Sequence, residues 1–219
     1  MKSNPNEYAE AQTKLCKYQN QSSLTTSGGR GPNYNCNAKP LLRLTADATA
    51  LHASVNAMAA NGNTNLLQGL MWGWRTISPN APFADAKAYK TTDNEKIIIL
   101  LTDGMNAWSS LGNHNKSVGY YTGGRLTDAG KPNPTNSTEA RAQIDAKTLT
   151  GCGNAKTQGV TIYTVGFSVS SEPIDAAGLD LLKKCASSPQ MAYVANDSST
   201  IITVFEEIAK SIGGLRLTQ

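Results

Sequence analysis

Histidine and cysteine are scarce in this chain, and aromatic and charged residues are few. Of 219 residues, two are histidine, His52 and His114, and four are cysteine, Cys16, Cys36, Cys152 and Cys185. No two cysteines form a C-x-x-C pair, which removes the common zinc and dithiol patterns. His52 sits in a stretch with helical spacing and His114 in a polar loop. Each reads as a solvated or packed residue rather than a ligand. Charged residues make up only 16%, and the basic excess (net charge +4) is scattered without a block of five. A nucleic-acid stripe is therefore not indicated, and no nucleic-acid partner is expected. No apolar run approaches the ~18 residues of a membrane span. The start, Met-Lys-Ser-Asn-Pro-Asn-Glu, is too polar for a secretory signal. A Gly-x-Ser-x-Gly elbow, a P-loop and a Gly-x-Gly-x-x-Gly turn are also absent.

What is abundant is Asn, Ser, Thr and Gly, a profile that suits an exported protein. An even cysteine count fits two disulfides in an oxidising compartment. Four cysteines allow three pairings; proximity in sequence favours Cys16–Cys36 and Cys152–Cys185, with buried free thiols as the alternative. The length suffices for one α/β domain with a sizeable core, or such a domain plus an arm. Residues 1–40 read as that arm or insertion, with Gly28-Gly29-Arg30-Gly31-Pro32 as a flexible loop. Residues 41–219 read as the domain.

The domain is organised around Lys96 to Met105, Lys-Ile-Ile-Ile-Leu-Leu-Thr-Asp-Gly-Met. The apolar run Ile97–Leu101 predicts a strand buried on both faces, as in a parallel sheet between helices. It stops at Thr102-Asp103-Gly104, which places a carboxylate where open α/β sheets bind ligands; an ordinary Asp-Gly turn is the alternative. Before it, Leu41-Leu-Arg-Leu44 reads as a strand end. Thr45 and Asp47 open a helix with Leu51, Val55 and Met58 at helical spacing, closing near Asn61-Gly62. Asn63-Thr64-Asn65 opens a second helix with Leu66, Leu67, Leu70, Met71, Trp74 and Ile77 on one face. Gly69 and Gly73 on that helix predict close packing on a strand.

After the central strand, residues 106–136 form a long aromatic connection of the kind that is often functional. Helix 138–157, strand Val160–Phe167, helix 175–186, strand Met191–Ala195 and a final helix from Ser198 or Ser199 to Gly213-Gly214 follow. The last helix carries Ile201, Ile202, Phe205, Ile208 and Ile212 on one face. This alternation predicts a three-layer, doubly wound, mostly parallel α/β fold with right-handed crossovers.

Two oxygen donors stand out: Thr64 at a helix start and Asp103 at the strand end. Together with water they suit Mg²⁺, which prefers octahedral oxygen ligation. The plain reading of Thr64 is a helix N-cap. Gly62-Asn-Thr64-Asn-Leu-Leu-Gln-Gly69-Leu70 followed by Ile98-Ile-Leu-Leu-Thr102-Asp103-Gly104 resembles a von Willebrand factor A domain. In that family these are the second and third segments of the metal-ion-dependent adhesion site. Further motifs are Gly31-Pro32-Asn33…Cys36, Leu44-Thr45-Ala46-Asp47, Trp72-Gly73-Trp74-Arg75…Ser78-Pro79, Gly119-Tyr120, Val160–Phe167, Leu182-x-x-Cys185-Ala-Ser187 and Leu215-Arg-Leu-Thr-Gln219. These resemble the C-terminal half of TadG-type proteins of Tad/Flp pilus assembly in Gram-negative bacteria.

The resemblance implies a non-enzymatic binding or adhesion module of the periplasm or cell surface. Its Mg²⁺ would engage an acidic residue of a protein partner, either pilus machinery or a surface ligand, with Thr64 and Asp103 as metal ligands. Membrane attachment would come only through a segment outside this chain. The family's first metal segment, Asp-x-Ser-x-Ser, has no counterpart here: Asp85, Asp128 and Asp197 are not followed by it. The expectation is a chain that starts downstream of that segment, lacks the fold's first strands, and binds Mg²⁺ weakly or not at all. Ser109 and Ser110 read as loop residues rather than substitute ligands. The rival reading is an enzyme, because the strand ending Asp-Gly-Met superficially resembles alkaline-phosphatase-type phosphohydrolases. Two-metal hydrolysis needs more Asp and His ligands than the sequence offers near it. A purely structural scaffold is the third reading.

Overall fold

The computed structural model describes residues 39–60, 63–107, 120–121, 124–125, 134 and 136–215. The chain divides into two compact units, 1–41 with 48–62, and 42–47 with 63–219. Of the first unit, helix α1 (Ala48–Asn56) is the described element, and none of its residues is buried.

The second unit holds a three-stranded sheet, β1 (Lys96–Thr102), β4 (Val160–Phe167) and β5 (Ala192–Ala195), in the order β1-β4-β5. All pairings are parallel, with Lys96 opposite Val160, Thr102 opposite Gly166 and Phe167 opposite Ala195. A separate two-residue antiparallel ladder joins β2 (Tyr120–Tyr121) and β3 (Gly124–Arg125). The helices of this unit are α2 (Leu66–Thr76), α3 (Ser137–Thr157), α4 (Ala176–Cys185) and α5 (Ser198–Leu215).

The central strand β4 is buried along most of its length, as expected for a Val/Ile/Tyr-rich segment covered on both faces. On one face, Ile98, Leu100, Val160 and Ile162 pack with Leu66 and Leu70 of α2, Cys152 and Ala155 of α3, and Leu181, Leu182 and Cys185 of α4. On the other face, Tyr163 and Val165 pack under Val204 and Ile208 of α5. Tyr163 is fully buried, and its hydroxyl is satisfied by Ser211 Oγ at 2.9 Å. The result is the three-layer α/β arrangement read from the sequence.

Disulfide Cys152–Cys185 ties α3 to α4. The other pairing favoured by sequence, Cys16–Cys36, lies outside the described residues, as does all of the 1–40 arm except Lys39 and Pro40.

Several local expectations are corrected. Residues 41–44 form no strand. Arg43 instead turns to Asp85 and donates to the Phe83 carbonyl at 3.1 Å, so this segment is held by its side chain. Strand β1 is not buried on both faces: Ile98 and Leu100 are covered, whereas Ile99 is 38% and Leu101 47% exposed. Among the described residues β1 pairs only with β4, and α5 covers the sheet over β4 and β5.

Gly69 and Gly73 touch nothing that a Cβ would meet. The tight helix contact belongs to Gly151 of α3, whose Cβ would stand 3.1 Å from Leu70 Cδ2. Helix α1 starts later and ends earlier than its apolar spacing suggests, and Leu51 and Val55 are exposed, as is Met58 beyond its end. Among the described residues no partner face covers this apolar stripe, and a helix without tertiary packing is only marginally stable. The last helix continues through Gly213-Gly214 to Leu215. Its predicted stripe divides: Ile208 is buried with Val204, while Ile202 and Phe205 are exposed.

Candidate functional site

The site lies at the C-terminal end of β1. Asp103 follows the strand directly and is solvent-exposed. The turn that presents it is closed by Thr102. Its buried hydroxyl donates to the Gly104 carbonyl at 2.8 Å and accepts from the Gly104 N–H at 3.1 Å. Thr102 therefore spends its hydroxyl on the turn and leaves Asp103 as the outward oxygen donor.

Thr64 reaches the same place from the start of α2. A Cβ on Gly104 would stand 2.9 Å from Thr64 Oγ1, so the glycine's bare Cα is what lets the hydroxyl lie against this turn. The helix is capped not by Thr64 but by Asn65, whose side chain accepts from the Gln68 N–H at 3.0 Å. That removes the N-cap reading of Thr64. Among the described residues neither the Thr64 hydroxyl nor the Asp103 carboxylate has a hydrogen-bond or ionic partner. Two unpaired hard oxygen donors on neighbouring loops, with a glycine between them, are compatible with part of an Mg²⁺ coordination shell.

Behind this pair is a polar network that the sequence reading did not single out. Asn106, 1% exposed, accepts from the Leu66 N–H at 2.7 Å through Oδ1. Its Nδ2 donates to Asp145 Oδ1 at 2.8 Å and to Thr148 Oγ1 at 3.4 Å. The next residue, Ala107, donates its N–H to the Thr64 carbonyl at 3.0 Å. Arg141 lies 3.5 Å from Asp145 and forks onto Asp175 at 2.5 and 2.7 Å, with Met105 Sδ 3.1 Å from Nη1. The Arg141 guanidinium, then the Gly178 N–H at 2.8 Å, hold the Asp175 carboxyl down at about 2. Asp175 is also the N-cap of α4. The available sequence signal was a set of polar residues at helix spacing on α3, Arg141, Asp145 and Thr148, facing inward.

Ser109, Ser110 and His114 lie outside the described residues, and His52 is on α1 of the other unit. Among the described residues no three His, Cys, Asp or Glu side chains converge.

No family model and no curated protein matches the sequence. Solved structures do resemble it. The pilus adhesin SpaC from Lactobacillus rhamnosus GG superposes with a TM-score of 0.52 at 18% identity, over 78% of this chain and 22% of that one. The vWF domain of the type V pili tip protein Mfa5 from Porphyromonas gingivalis gives a TM-score of 0.51 at 17% identity, over 78% of this chain and 74% of that one. This chain thus spans under a quarter of the SpaC length. At these identities the likeness shows the fold alone, a three-layer α/β arrangement like that of these two proteins.

Proposed function

We propose that this chain is a non-catalytic adhesion module. In this reading the C-terminal edge of its sheet binds an acidic group of a protein partner through a divalent cation held in part by Thr64 and Asp103. The observation that carries the proposal is the meeting of the unpaired Thr64 hydroxyl with the Asp103-Gly104 turn. A cation there would supply a positive centre for the partner's carboxylate. Water and further oxygens would complete an octahedron that two side chains cannot fill. Mg²⁺ is the cation that best fits a hydroxyl and one carboxylate, and its binding is expected to be weak.

The pilus-adhesin and pilus-tip neighbours support a surface setting. The motif resemblance narrows that setting, as a proposal, to Tad/Flp pilus assembly at the periplasm or surface of a Gram-negative bacterium. The phosphohydrolase reading has no comparable support, since its chemistry calls for several converging metal ligands. Titration calorimetry with Mg²⁺ is the test. Weak heats that vanish in Asp103→Asn and Thr64→Val are expected. Heats unchanged by both substitutions would remove these residues from the site, and phosphatase turnover lost in Asp103→Asn would favour the enzyme.

A further inference from the structure

We infer that Asn106, backed by Asp145, is a positioning residue that fixes Thr64 relative to Asp103, an inference that rests on reading those two as the binding pair. Asp103 belongs to the segment after β1 and Thr64 to the segment before α2, so their separation is set by whatever joins the two segments. Hydrogen bonds from Leu66 N–H to Asn106 Oδ1 at 2.7 Å and from Ala107 N–H to the Thr64 carbonyl at 3.0 Å join them. The first depends on a side chain, and that side chain is anchored from behind by Asp145 at 2.8 Å and Thr148 at 3.4 Å.

The Asn106 amide has one orientation that satisfies all of this. Its oxygen must face the Leu66 N–H, and its NH₂ must face the carboxylate. Arg141 holds Asp145 from the other side and carries the connection to Asp175 at the start of α4. A partly buried polar cluster of this kind adds little net stability over apolar packing. What it provides is a single geometry. The chain places it directly behind the two unpaired oxygen donors.

The test is nuclear magnetic resonance on the whole chain, comparing wild type with Asn106→Ala, Asp145→Ala, Asp145→Asn and a packing control, Ile144→Val. Without added Mg²⁺, Asn106→Ala should speed exchange of the Leu66 and Ala107 amides by about tenfold, the loss of one buried hydrogen bond, while β4 amides keep their rates. With Mg²⁺, the same variant should raise the half-saturation concentration by about tenfold, again one hydrogen bond's worth. Asp145→Ala should act in the same direction. Asp145→Asn, which keeps an acceptor for Nδ2, should fall between it and wild type. Ile144→Val should leave both readouts at wild-type values.

Faster exchange spread evenly over the fold, or an unchanged Mg²⁺ midpoint in Asn106→Ala, would overturn the inference alone. Absence of any Mg²⁺ response in wild type would overturn the binding pair and the positioning role with it.

Discussion

At the residue scale, the turn at Gly104 leaves no room for a side chain. A methyl group there would stand 2.9 Å from Thr64 Oγ1 and 3.8 Å from Thr64 Cβ. Gly104→Ala should therefore cost about 1–3 kcal/mol, the range for overpacking. Thr64→Ala removes the oxygen and leaves an ordinary contact. The double variant should recover most of that loss in a denaturant double-mutant cycle. Additive losses would mean that the strain lies elsewhere.

Asp175 offers a pH-dependent counterpart. The Arg141 guanidinium and the Gly178 N–H hold its folded pKa at about 2, below the usual carboxylate range. Its stabilising contribution is complete above about pH 4, where the unfolded carboxyl is also ionised, and is lost as pH falls through the folded pKa near 2. Its side chain is 44% exposed, so solvent screening keeps the contribution small. Asp175→Asn should flatten the acid arm between about pH 4 and 2 in a pH-dependent melting series.

Single residues also show what could be read beforehand. Thr64 and Asp103 were visible because each is a hard donor at an element boundary. Asn106 was not, because an asparagine in a loop reads as turn chemistry until the helix it faces is known. The Trp-Gly-Trp-Arg motif was visible as a motif but not as contacts. Arg75 stacks over Trp72 at 4.6 Å, and Trp74 Nε1 donates to Tyr89 Oη at 2.9 Å.

At the element scale, the bounds of the helices and strands from residue 96 onward lie close to those the sequence predicts. The burial of strand β1 is the instructive departure. Ile97 to Leu101 reads as doubly buried, yet burial depends on neighbours that a local window does not contain. Ile97 packs beneath α5, while Ile99 and Leu101, on the same face of the strand, are exposed. Among the described residues β1 has a partner strand on one side, and an apolar edge strand is prone to edge-to-edge association. Leu101 is 47% exposed and belongs to no buried core cluster, so Leu101→Lys should change stability by no more than about 0.5 kcal/mol. It should also lower self-association in sedimentation velocity at high protein concentration. Unchanged association would place the sticky surface away from β1.

At the scale of the whole molecule, the strongest constraint on the sheet-bearing unit is Cys152–Cys185. The two cysteines are 33 residues apart and fully buried, and both lie in the core on the face shared by α2, α3 and α4. Their bridge encloses β4, the strand that joins β1 to β5. Opening it therefore frees the segment through which the sheet is held together. Loop-closure entropy for a loop of this length corresponds to about 3–4 kcal/mol. Against a typical domain stability of about 5–15 kcal/mol, that is a large fraction. The Lys156 side chain spans the same junction, donating to the Lys184 and Ala186 carbonyls at 3.1 Å each, but these partly exposed bonds cannot replace a covalent closure. Guanidinium unfolding of Cys152→Ala/Cys185→Ala should show a midpoint shift equivalent to about 3–4 kcal/mol, with the amides at the C-terminal end of β1 keeping their native shifts under strongly folding conditions. A shift near zero would mean that packing between α3 and α4 alone holds the unit. Loss of the native spectrum even without denaturant would mean that the bridge is required for this α/β unit to fold at all.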